Sequence, residues 1–107
     1  MSKHNAQTAG ELLRHIGAEW IERNATNQSL ITLTNTVLSE DRRHVTFFIT
    51  VYPEDKEAPV LDFLNRSKDD IRKDIREKTD GRFYPQVNVV IDGGEKNRQK
   101  IDELTNK

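Results

Sequence analysis

The sequence predicts one α+β domain in the order α-β-β-α-α-β, with all the helices on one face of a three-stranded mixed sheet. Three observations predict it. From His44 to Tyr52 apolar and polar residues alternate, the two-residue period of a strand with one face on a core. Helical spacing governs the apolar residues of the first quarter of the chain and of the stretch after Pro59. A helical crossover then separates the second strand from a Val-rich third one, which makes those two parallel, whereas a tight turn makes the first two antiparallel.

Thr8-Ala9-Gly10-Glu11 has the form of a capping box, and Leu12, Leu13, Ile16, Trp20 and Ile21 follow on one stripe, giving a first helix over residues 9–23. Leu30 to Leu38, rich in Thr, Leu, Ile and Val, reads as a strand with Ile31, Leu33 and Val37 on a shared face interrupted by Asn35. Ser39-Glu40-Asp41 is a turn. In the second strand Val45, Phe47, Ile49 and Val51 point one way, and Thr46, Phe48, Thr50 and Tyr52 the other. Residues 53–59 read as an acidic loop. A helix begins at Val60, Leu61 and Leu64, and Ile71 and Ile75 continue its buried side after an interruption at Ser67-Lys68-Asp69. There Ser67 is placed to cap the second segment, with Asp70 at its third position. Gly81 ends it by taking a positive φ. Phe83 to Ile91 reads as the third strand, with Pro85 near its start, where a missing donor is tolerated. The domain is expected to occupy residues 1–107, with residues 1–7 a flexible N-terminus and residues 95–107 a short frayed segment anchored by Ile101 and Leu104.

Composition narrows the function. The 107 residues are 33% charged with net charge −1, and a mean hydropathy of −0.82 with a pI near 6.3 does not advertise nucleic-acid binding. The apolar residues are nevertheless clustered, which argues against disorder. With no cysteine, disulfides and thiolate chemistry are excluded. Met1-Ser2-Lys3-His4-Asn5 lacks an apolar signal core, and no run reaches 18 apolar residues; the expectation is a cytoplasmic protein without membrane contact. His4, His15 and His44 share no metal spacing, and Glu11 with His15 lacks a third ligand, so no metal or other cofactor is expected. Nucleophile triads, phosphate loops and dinucleotide glycine patterns are missing too, so no catalytic residue is assigned.

One pattern carries chemistry. Lys68, Arg72 and Arg76 stand at i, i+4 and i+8, lining three cations along one side of a helix that restarts after a break. Such a row suits a phosphate backbone; the alternative is a solvated face neutralised by Asp69 and Glu77. Phe48 and Tyr52, opposite the core face, are possible stacking platforms for bases, or ordinary sheet aromatics. Trp20 belongs to the core or its rim.

The order of elements is that of the type II KH topology. The residues Val37-Leu38-Ser39-Glu40-Asp41-Arg42-Arg43-His44-Val45-Thr46-Phe47-Phe48-Ile49, Ile71-Arg72, Arg82-Phe83-Tyr84-Pro85-Gln86-Val87, Val90-Ile91-Asp92 and Ile101-Asp102-Glu103-Leu104 resemble the bacterial ribosome-binding factor A family. The resemblance spans residues 30–104. It implies a non-enzymatic, monomeric assembly factor that binds immature 16S rRNA in the small (30S) subunit during late maturation, meets other assembly factors there, and supports growth in the cold. It adds Arg82, Arg42 and Arg43 to the expected RNA contacts. Three departures stand out: Ser67-Lys68-Asp69 replaces the family's Ala-x-Gly break, no Gly-x-x-Gly loop is present, and Lys3 is the one Lys or Arg before Glu11. A protein–protein adaptor without RNA affinity is the alternative.

Overall fold

The computed structural model describes residues 8–25 and 28–93. Helix α1 spans Ala9–Asn24. Thr8 begins it as the sequence predicts: the residue is extended, and its Oγ accepts the Glu11 amide at 3.1 Å, satisfying one free donor of the first turn. Leu13, Ile16, Trp20 and Ile21 are buried along one stripe. At Gly17 the helix approaches the sheet so closely that a Cβ would lie 2.9 Å from the Phe47 ring.

Strands β1 (Leu30–Leu38) and β2 (His44–Tyr52) pair antiparallel, and β3 (Gln86–Ile91) joins β2 in parallel, in the order β1-β2-β3. One core cluster unites α1, α2, α3 and a single sheet face, through Val45, Phe47, Ile49, Val87 and Val89. Helix α2 (Glu57–Arg66) contributes the fully buried Leu64, and α3 (Lys68–Lys78) contributes Ile71 and Ile75. Truncating such a residue to Ala would cost about 2–5 kcal/mol. The arrangement is the type II KH-like one expected from the element order.

Four local expectations are corrected. The pairing slips by one residue at Thr34, which has no Cα partner between Leu33↔Ile49 and Asn35↔Phe48. This bulge reverses the alternation, so Leu38 packs on the core and Val37 faces outward, 39% exposed. Helix α2 begins at Glu57, preceded by a 3-10 turn at Glu54–Lys56; Pro59 falls in its first turn, where the missing N–H has no intrahelical acceptor to lose. Strand β3 begins at Gln86, three residues later than the pattern suggested. Pro85 has no donor for the ladder, and the first amide after it, that of Gln86, bonds the Arg43 carbonyl at 2.7 Å. Finally, Ser67 interrupts the α2–α3 pair without capping α3 by its side chain. Its hydroxyl instead donates back to the Phe63 carbonyl at 2.8 Å, a bond made within the first helix. The interruption is a single residue (φ −100°, ψ 9°), and Lys68 and Asp69 already belong to α3.

Residues 1–7 and 95–107, for which a flexible arm and a frayed segment were expected, lie outside the described residues.

Candidate nucleic-acid interface

Parallel pairing brings two loops side by side. The β1–β2 turn enters β2 at His44, the segment after α3 enters β3 at Gln86, and these two residues are Cα partners. The turn is fixed by its own side chains. Ser39 Oγ donates to Asp41 Oδ1 at 2.6 Å and accepts the His44 amide at 3.1 Å; Asp41 Oδ1 also accepts the Arg43 amide at 3.0 Å. These bonds, the Ser39 hydroxyl first and the Arg43 amide second, hold the Asp41 carboxyl below its ordinary value. Arg42 sits at φ 63°, and its guanidinium reaches back over the buried Phe83 ring, 5.6 Å from the centroid.

The second loop is tied to α3. Thr79, buried at the end of the helix, donates to the Ile75 carbonyl at 2.8 Å and accepts the Phe83 amide at 3.1 Å. Gly81, at φ 82°, returns its amide to the Arg76 carbonyl at 2.8 Å. Arg72 completes the brace: its Nε lies 3.1 Å from the Pro85 carbonyl, its Nη2 lies 3.2 Å from that of Tyr84, and its Cζ sits 3.8 Å from the centre of the Tyr84 ring. Arg76 Cζ lies 5.3 Å from the same ring.

A groove of about 460 Å³ results, lined by Arg42, Arg43, His44, Arg72, Tyr84 and Gln86. Among the described residues no carboxylate lines it. The acids of α3 are engaged elsewhere: Asp70 accepts the Trp20 indole N–H at 3.0 Å, and Asp74 pairs with Arg23 at 3.1 Å and with Lys78 at 3.2 Å. Two of the helix's acids, Asp70 and Asp74, thus bond to α1, while Arg72 and Arg76 lie against the Tyr84 ring of the loop before β3. Among the described residues, neither Asp69 nor Glu77 forms an ion pair with the Lys68–Arg72–Arg76 row.

Of the expected contact residues, Arg42, Arg43 and Arg72 meet in the groove and Arg76 adjoins it through Tyr84. Lys68 stands one turn before Arg72 at the start of α3. Arg82 lines neither this groove nor the neighbouring hollow of Lys73, Arg76, Glu77, Asp80 and Gly81, and its Nε donates to the Thr79 carbonyl at 3.2 Å. Neither of the two aromatics weighed as stacking platforms or as ordinary sheet residues lines the groove. Phe48 lies on the sheet face away from the helices but is only 1% exposed. Tyr52 is 72% exposed, yet it ends β2 while the groove is at its start, about 26 Å away at the rise of a strand. The aromatic in the basic cluster is Tyr84, 42% exposed. Sequence reasoning missed it by placing it inside a strand; the signal was Arg-Phe-Tyr-Pro, an aromatic between a cation and a strand-breaking proline. His15 pairs with Glu19 at 3.3 Å.

Comparison with known proteins adds an independent line. Residues 5–105 match the family model described as ribosome-binding factor A. Ribosome-binding factor A of Thermobifida fusca is 31% identical over 102 residues, spanning 92% of this chain and 68% of the relative. The crystal structure of ribosome-binding factor A from Thermus thermophilus superposes with a TM-score of 0.64 at 20% identity, covering 75% of this chain and 88% of that one. A homology model of the Thermus thermophilus factor, fitted into a cryo-electron-microscopy map of its 30S complex, gives 0.67 at 19% identity, covering 79% and 92%.

Proposed function

The chain belongs to the ribosome-binding factor A family, and from that premise we propose that it is a non-catalytic assembly factor binding the small ribosomal subunit through 16S rRNA during late maturation. One observation carries the RNA part of this reading: Arg42, Arg43 and Arg72 line one groove, Arg76 adjoins it through Tyr84, and among the described residues neither Asp69 nor Glu77 pairs with the Lys68–Arg72–Arg76 row. A relative of the same fold has been fitted into a map of a 30S complex, which supports the small subunit as the partner. As a non-catalytic factor on this reading, the protein acts by binding one conformation of the rRNA better than another, and differential affinity is its source of work. With so few cations, affinity for bare RNA is weak and salt-sensitive, and the assembled particle is held more tightly. The reading places the protein in the cytoplasm, in contact with other assembly factors, and extends to rRNA processing and growth in the cold. None of the described helices is long and apolar enough to cross a membrane.

Co-sedimentation with purified immature and mature small subunits tests the proposal. The unaltered chain should pellet preferentially with immature particles, and a variant carrying Arg42→Glu, Arg43→Glu, Lys68→Glu and Arg76→Glu should stay in the supernatant. Equal recovery of the two proteins would refute RNA contact through this face. A second reading, a protein-binding adaptor without RNA affinity, rests on Leu30 and Tyr52, partners across β1 and β2 that are 66% and 72% exposed. It predicts indifference to charge reversal and loss of association on Leu30→Glu.

A further inference from the structure

Resting on the RNA reading, we propose that the groove takes an unpaired nucleotide, its base stacked on Tyr84 and its phosphate held by Arg42 and Arg43, so that the protein selects single-stranded over duplex RNA. Arg72 and Arg76 are one turn apart on α3 and approach the Tyr84 ring from that helix. Tyr84 is 42% exposed and lines the groove together with Arg42, Arg43, His44, Arg72 and Gln86. Arg72 at 3.8 Å fixes the ring, and its bonds to the Tyr84 and Pro85 carbonyls fix Arg72 in turn. The platform is thus built before any ligand arrives, and little side-chain entropy remains to be lost on binding.

The volume of about 460 Å³ lies within the range of small-ligand clefts, and its lining combines cations for a phosphate with the His44 ring and the Gln86 amide for a base edge. An A-form duplex keeps its base faces inside the stack and offers a protein mainly phosphates and 2′-hydroxyls. It can use the cations of this groove but not the face of Tyr84. A loop, bulge or strand end can use both.

The test is fluorescence anisotropy of the full chain against a labelled single strand of about 12 nucleotides, within the span of small single-strand binders, and against the same strand annealed to its complement. Tyr84→Ala should weaken the single strand about tenfold, the usual scale of one lost stacking contact, and leave the duplex unchanged. Tyr84→Phe should restore single-strand affinity, and Tyr84→Leu, which keeps apolar bulk without the π-face, should not. Equal weakening of single strand and duplex by Tyr84→Ala, or no weakening of either, overturns the inference. The ribosomal reading is tested separately by pelleting: if the four-site charge reversal abolishes association with particles while Tyr84→Ala keeps full single-strand affinity, that reading stands and base stacking on Tyr84 falls.

Discussion

The indole N–H of Trp20 donates to the Asp70 carboxylate at 3.0 Å, across the seam between α1 and α3. This bond does two things. It satisfies the polar atom of a ring that is otherwise buried against Phe63, whose centroid is 5.9 Å away. It also commits an acid of α3 to α1, away from the cation row of the same helix. Asp70→Ala removes the acceptor of this part-buried bond and should destabilise the fold by about 0.5–1.5 kcal/mol in urea unfolding. RNA affinity should hold or rise, since a negative charge leaves the helix. A neutral effect on stability would mean the bond is incidental.

Counterion release makes the cation row quantitative. If Lys68, Arg72, Arg76, Arg42 and Arg43 each neutralise a phosphate of a single strand, log K against log salt should fall with a slope of about −3.5. Replacing Lys68 and Arg76 by Gln should reduce the slope by about 1.4, one increment of roughly 0.7 per lost contact. Arg72 suits this measurement less well, because it also ties α3 to the Tyr84 and Pro85 carbonyls. A salt response unchanged in the double variant would remove these two residues from the interface.

The elements were legible in the sequence because the signals that define them are local. Thr8 with Glu11, the alternation from Val45 to Val51 and the spacing of Leu64, Ile71 and Ile75 all act within a turn or a strand. Most of what escaped is set by partners distant in the chain. The bulge at Thr34 exists only in pairing with β2, so nothing between Leu30 and Leu38 announces that Val37 turns outward. One miss is local: Ser67 has the composition of a cap, but the Phe63 carbonyl four residues earlier claims its hydroxyl. The cation row was visible; that Asp70 and Asp74 would bond to α1 was not, because Trp20 and Arg23 lie some 50 residues earlier in the chain. Tyr84 is drawn into the basic cluster by Arg72, which stacks on it from twelve residues earlier in the chain.

Gly17 sets how closely α1 lies on the sheet. Gly→Ala within a helix ordinarily gains about 1 kcal/mol from propensity. Here the added methyl would meet the Phe47 ring at 2.9 Å, in a core where overpacking typically costs about 1–3 kcal/mol. Phe47 is enclosed in that core and has little freedom to retreat. The ring wins over the propensity: Gly17→Ala should lower the urea midpoint, whereas Gly10→Ala in the same helix, with no neighbour closer than 3.9 Å, should raise it.

Acid should loosen the turn that presents Arg42 and Arg43. The Asp41 carboxyl is depressed from its ordinary 3.8, chiefly by the Ser39 hydroxyl and then by the Arg43 amide. A depressed carboxyl contributes stability that is fully present above the unfolded value and is lost as pH falls through the lower folded one. Between pH 5 and 8 Asp41 stays ionised and the turn keeps its bonds, so its titration should leave RNA affinity flat over that window. Below 3.8 the carboxylate protonates and its bond to the Arg43 amide weakens. NMR titration of the Arg43 and His44 amides should report a midpoint below 3.8 in the unaltered chain and a rise toward that value in Ser39→Ala, which removes the largest cause of the depression. An unshifted midpoint in Ser39→Ala would show that the hydroxyl does not hold the charge.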